Sequence, residues 1–243
     1  MKEAQFGTEW RLSYRPQTGA IAFTPPQGAV KTSELRADTV MPTFASAAAR
    51  AVVTKVFAKY DQPKRLAYEV TAPDEKSQVW ILSGNVRQSD SKADWSVKGG
   101  RFELLDKGRG HMVEGEAALF KIVDAVAKSG TRVEPLLKVL LRGQNPFRIY
   151  FGSNANVSIT GTARINGHKC ALVESTSLRS KVTLVVRESD GFVLSLSSRD
   201  PGQGEMRGQT RTFRELRFDD SSMKGTRPES ARVVSLKDYV AQS

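Results

Sequence analysis

The chain has 243 residues, 39% of them hydrophobic and 26% charged, which excludes a disordered composition and leaves room for one large domain or two small ones. No apolar run of about 18 residues is present, so no segment reads as a transmembrane helix, and the single cysteine, Cys170, excludes an internal disulfide and a multi-cysteine zinc site. The formal net charge is +11, but the basic residues are spread along the chain, Lys64-Arg65 is their adjacent pair, and no RNP-like aromatic motif accompanies them. This pattern describes a solvated cationic surface and argues against nucleic acid as a partner.

The start, MKEAQFGTEW, carries Glu3 and Glu9 without an apolar core region, so it does not read as a signal peptide. Residues 8–28 predict two short strands, TEWRLSYR and IAFT, joined by turn residues from Pro16 to Gly19. Residues 29–43, polar and containing Pro42, read as a linker. In FASAAARAVVTKVFAKY, Val52, Val53, Val56, Phe57 and Tyr60 recur at helical spacing and predict a helix over 44–60, limited by Pro63.

From Arg65 the period becomes two, with Leu66, Tyr68 and Val70 alternating with polar residues. VWILSGNV, DWSV, RFELLD and GHMVEG continue as antiparallel strands. VWIL is apolar on both faces, as in a strand covered on both sides. EAALFKIVDAVAKSG and VEPLLKVLLRG then predict two amphipathic helices, stopped near Gly130 and Gly143. After Pro146 strands resume as FRIYFG, NVSITGTARI, HKCALVES, KVTLVVRE, FVLSLSSR and one around TFRELRF. SDG at 189–191 is a tight hairpin turn, and PGQGEMRG at 201–208 a hairpin loop. The tail from Asp219 is polar, with a last apolar piece, ARVVSLKDYV. The order predicts an α+β fold, with a large curved antiparallel sheet, a half-barrel, and about three helices packed on its concave face.

No catalytic constellation emerges. His111 and His168 read as surface or turn residues, and neither belongs to an HExxH motif. No GxSxG, Walker or dinucleotide-binding motif is present. Asp219 and Asp220 are adjacent, so on a strand they would face opposite ways. The sequence therefore predicts no enzyme, no metal and no cofactor. The aromatic set of Trp80, Trp95, Phe102, Phe120, Phe147, Tyr150 and Phe151 falls near the expected helix–sheet interface. It can be a filled core or the lining of an apolar cavity suited to an acyl chain.

Three stretches resemble a known family. They are KGGRFELLDKGRGHMVEGEAALFKIVDAV, the Leu-rich VEPLLKVLLRGQNPF, and ITGTARINGHKCALVES followed by VTLVVRESDGFVLSLSSRD. In order and spacing, over roughly 45–220, they resemble the bacterial outer-membrane lipoprotein carrier (LolA-like) superfamily, closest to its predicted periplasmic proteins.

The resemblance implies a half-barrel with helices as a lid, an apolar cavity, no enzymatic activity and no cofactor. It implies residence in the periplasm or cell envelope, although the chain shows no signal peptide or lipobox. The implied partner is a lipid or a lipoprotein acyl chain, with an envelope protein and peripheral membrane contact as further partners. The cavity would be lined by Val53, Phe57, Trp80, Trp95, Phe120, Val123, Leu137, Leu140 and Phe151. The alternative on the same scaffold is a closed-core protein-interaction domain using an exposed sheet edge. A polar substitution at Phe120 is expected to separate the two.

IAFTPPQG, at 21–28, resembles the family's domain-closing stretch but precedes the first helix. Residues 1–43 are accordingly expected to be a strand pair and linker, the end of a preceding repeat, with the half-barrel domain at 44–243. The other expectation is that this segment adds an edge strand to the main sheet.

Overall fold

The structure, a computed structural model, describes residues 2–6, 10–14, 42–73, 75–116, 118–152, 155–177, 181–199, 209–219, 221–225 and 227–241. The chain divides into two compact units, Met1–Leu35 and Arg36–Ser243. In the first, β1 (Lys2–Phe6) pairs antiparallel with β2 (Trp10–Tyr14). The expected TEWRLSYR strand overlaps β2. IAFT, the greater part of the linker and PGQGEMRG lie outside the described residues.

The second unit opens with β3 (Thr43–Phe44) and α1 (Ala47–Tyr60). A six-stranded meander follows, made of β4 (Arg65–Ala72), β5 (Glu75–Leu82), β6 (Asn85–Asp90), β7 (Ala93–Lys98), β8 (Arg101–Asp106) and β9 (His111–Glu116). Next come α2 (Leu119–Lys128), α3 (Pro135–Leu140) and a 3-10 turn at Arg148–Tyr150. A second meander holds β10 (Asn156–Ile165), β11 (His168–Thr176), β12 (Lys181–Arg187), β13 (Val193–Arg199) and β14 (Gln209–Glu215). The described chain finishes with β15 (Arg232–Ser235) and α4 (Leu236–Ala241).

One open sheet of thirteen strands contains both meanders, in the order β15-β9-β8-β7-β6-β5-β4-β14-β13-β12-β11-β10-β3. The meanders meet at one seam, where Tyr68, Glu69, Val70 and Thr71 of β4 pair with Glu215, Arg214, Phe213 and Thr212 of β14. The fold is thus the α+β curved sheet that alternation predicted. Beyond the three expected helices, the short α4 is a fourth. The sheet is antiparallel except at its two borders. There the short strands β3 and β15 run parallel to β10 and β9. The tail, read as polar with an apolar end, supplies one of those borders.

Alternation fixes which side is buried. Leu66, Tyr68 and Val70 of β4 share a face with Val79 and Ile81 of β5, Trp95 of β7, and Val173 and Leu184 across the seam. The buried faces of α1, α2 and α3 pack on these residues in one core. The opposite face of the sheet is covered locally. Met223, Leu216 and Phe218 pack over Ala67 and Trp80, and the Arg87 guanidinium stacks on the Trp80 ring while pairing with Asp94. VWIL is apolar on both faces because both are covered there.

The start of α1 is set by Ser46, whose hydroxyl accepts from the Ala49 N–H, as an N-cap serine does. Phe44 is thereby left in β3, so the helix begins at Ala47 and not at 44. Further along, α1 lies directly on the turn between β12 and β13, which carries Gly191. The ends of the helix and turn are tied by Lys59 to Asp190 and by the Tyr60 hydroxyl, which accepts from the Val193 N–H.

FRIYFG is not a strand. Asn145 forms a local turn by accepting from the Phe147 N–H, while its amide donates to the Phe57 carbonyl. That places Phe147 in the core against Tyr60, with ring centroids 4.5 Å apart. The following residues coil into the 3-10 turn, whose Tyr150 carbonyl accepts from the Ser175 hydroxyl. Aromatic and β-branched composition suggests a strand, and the Asn-Pro start overrides it.

Candidate functional site

The elements around α3 enclose an apolar groove of about 660 Å³. Its floor is Ile81 of β5 and Val86 of β6, a directly opposed pair on the inner face. Its wall is Leu137, Leu140 and Leu141. Its rim is Gln62, Pro63 and Lys64, between α1 and β4, with the Ser83-Gly84 turn and Gly143. Ser83 and Gly84 have φ of 48° and 83°, the left-handed conformations of a two-residue hairpin turn. The Ser83 N–H donates to the Lys64 carbonyl, so turn and rim are locked together.

The position of α3 depends on buried polar side chains. Glu134 precedes Pro135, the favoured first helical residue, and is fully buried. Its carboxylate accepts from the Leu137 N–H and the Tyr68 hydroxyl, both at 2.8 Å, and from Arg211 at 3.3 Å. Gln88 of β6, also fully buried, accepts from the Glu134 N–H and donates to the Arg132 carbonyl. These bonds satisfy groups that would otherwise be costly to bury.

Burial pushes the Glu134 carboxyl above the usual range, against the opposing hydrogen bonds from Leu137 and Tyr68. Burial, and then the neighbouring Glu134 charge, push Tyr68 well above an ordinary tyrosine. The network is a structural anchor. It holds the first turn of α3 on the sheet while Leu140 and Leu141, half-buried at the far end, face the groove.

The sequence-predicted cavity residues fall in several places. Leu137 and Leu140 line the groove. Val53, Phe57, Trp95 and Phe151 are buried in the main core, with Val123 partly buried against it. Trp80 lies on the other side of the sheet beneath Met223. Phe120 is 66% exposed, because it falls off the Leu119, Ile122 and Val126 stripe of α2. Helix α1 therefore packs as core and does not roof this groove. Ile81, Val86, Leu141 and the rim are additions that the sequence does not single out. Leu141 adjoins Leu140 on the predicted helix, and SGN marks the turn, but neither signal says what lies opposite.

A second cleft, of about 330 Å³, lies between Glu75, Asp90 and Arg132. Its side chains already satisfy one another, Arg132 with Glu75 and Thr131 with Asp90. Among the described residues no group of three His, Cys, Asp or Glu side chains could hold a metal ion. His168 is exposed beside its turn, and His111 is half-buried against Tyr239.

No protein-family model matches the chain, and no curated protein does. Among solved structures the chain is similar to an uncharacterised conserved protein of Thermus thermophilus (11% identity, TM-score 0.41, 77% of this chain and 98% of that one). It is similar to the lipoprotein LppX of Mycobacterium tuberculosis (10% identity, TM-score 0.41, 77% and 100%). It is also similar to a LolA superfamily protein of Nitrosomonas europaea (12% identity, TM-score 0.23, 72% and 96%). At these identities the likeness concerns fold alone, and at these TM-scores it assigns no function.

Proposed function

We propose that the 36–243 unit is a non-catalytic binding protein that holds a lipid or lipoprotein acyl chain in the groove under α3, as a carrier or sensor in the cell envelope. The observation that supports this reading is the groove itself. It has an aliphatic floor and wall, a volume of about 660 Å³ within the roughly 300–1,000 Å³ common for ligand sites, and Lys64 on its rim. An acyl chain suits the wall, and an anionic end suits Lys64. Burying eight methylenes would contribute on the order of 6 kcal/mol before the cost of association is subtracted.

The test is displacement of a fluorescent fatty acid, with native mass spectrometry of the loaded protein. Leu140→Asp should weaken binding at least tenfold with little change in melting temperature, because Leu140 is only partly buried. Phe120→Ser should bind as wild type. Absence of probe binding by the wild type, or equal binding by Leu140→Asp, would overturn the proposal in favour of a closed-core interaction domain.

A further inference from the structure

The two borders of the large sheet are finished differently. At one, β15 pairs with β9 from His111 to Glu114. At the other, β3 pairs with β10 only at Asn156 and Val157. Its lane continues for one more bond, from the Ala45 N–H to the Val157 carbonyl, and the chain then turns into α1. From Ser158 to Ile165, β10 has β11 on one side and no strand on the other among the described residues.

The backbone groups facing that open lane can be identified. Asn166 and Gly167 both have positive φ, 49° and 80°, as in a two-residue hairpin turn, so Ile165 and His168 exchange hydrogen bonds. Alternation from there gives β11 the backbone groups of Ala163 and Gly161. The N–H and C=O of Thr162 and Arg164 point into the lane. The register irregularity between Ile159 and Gly161 restores the other phase, in which the Val157 carbonyl already serves Ala45.

The two elements that flank the lane carry cations only, while the carboxylates of the next strand and turn, Glu174 and Glu188, are paired with Lys181 and Lys169. Neither α1 nor β10 contains an aspartate or glutamate. A groove of about 630 Å³ runs along the outward face of α1, lined by Phe44, Ser46, Ala47, Arg50, Ala51, Thr54 and Lys55. Phe44 thus belongs both to the strand that ends the lane and to this groove. Arg50 lies over the Phe44 ring, and Arg164 is an exposed cation on the edge strand itself. Lys55 donates to the Glu188 carbonyl, and the Glu188 carboxylate is taken by Lys169.

We infer that the Ser158–Ile165 edge of β10 is a docking site for an extended acidic segment of a partner protein, which adds a strand beside β10 and meets Arg50 and Arg164. Strand addition supplies main-chain bonds, and charge supplies the choice of partner. Natural sheets guard exposed edges with bulges and charges. Both guards on this edge also select, since the charge favours an acidic strand and the bulge limits pairing to one register.

The test uses a fluorescein-labelled nine-residue peptide of alternating threonine and glutamate, read by fluorescence anisotropy, with a threonine–lysine peptide as control. The acidic peptide should bind, the basic one should not, and the affinity should fall as salt is raised. Thr162→Pro removes one lane-facing N–H on an edge where proline is tolerated, and should weaken binding at least tenfold. Arg50→Glu combined with Arg164→Glu should do the same. Both variants should keep the wild-type melting temperature and fatty-acid probe binding, which separates this site from the groove under α3. Equal binding of both peptides, undiminished binding by Thr162→Pro, or no binding would overturn the inference. So would a dimer seen by light scattering and dissolved by Thr162→Pro, which would assign the edge to a second copy.

Discussion

A methyl group added at Gly191 would sit 2.6 Å from the Val56 nitrogen and closer still to the Lys55 carbonyl group. Its neighbours are helix backbone, so no side chain can swing aside, and its φ of +77° already disfavours any other residue. Gly191→Ala should therefore destabilise the protein by about 2–5 kcal/mol, from left-handed strain and displacement of α1, as measured by urea denaturation. The preceding residue gives the same contact a pH dependence. Burial tends to raise the Asp190 carboxyl, but hydrogen bonds from Arg187 and Lys59 outweigh it and hold it well below the usual carboxylate range. A carboxylate with a lowered folded-state pKa contributes stability above its unfolded value, near pH 4, and loses that contribution as pH falls further. Asp190→Asn should flatten the acid limb of a stability–pH profile while leaving its slope above about pH 6 unchanged.

At the scale of elements, most strands and helices were legible from periodicity alone. Leu66, Tyr68 and Val70 alternate without interruption, and Leu136, Leu137, Leu140 and Leu141 trace one side of a short helix. Where the reading failed, the deciding contact was remote in sequence. Trp80 and Ile81 are neighbours in an unbroken apolar run, and pattern cannot say which of them faces the helices. That choice is made by Met223 and Phe218, more than a hundred residues away. Phe120 is different, since its place off the α2 stripe was visible, and its size alone suggested burial. The β15–α4 tail was hidden for another reason. Leu236 can approach β9 only because Gly115 has no side chain there, and a glycine in a strand signals close approach without naming what approaches. The groove was partly legible through its leucine wall. Its floor was not, because Ile81 and Val86 look like any other core strand residues.

For the whole molecule, the carboxylate of Glu134 does more than start α3. Tyr68, one of its partners, belongs to the first meander, and Arg211 belongs to the second. The seam between the meanders is thus bridged from inside by a helix that also walls the groove. Glu134→Ala would remove the cap, strand the Tyr68 hydroxyl and leave Arg211 buried without its partner. The expected cost is about 3–5 kcal/mol, as for other broken buried pairs, again read by urea denaturation.

The same join has a mechanical meaning. Each meander is stitched to itself by successive hairpins, but the two leaves share one backbone ladder, with the Arg214–Glu69 ion pair across it and the Glu134 clasp inside. Under the proposed function, an acyl chain in the groove would press on the helix that carries the inner clasp. The filling of a small apolar space would then be felt at the join of two broad leaves, each carrying its own outer border.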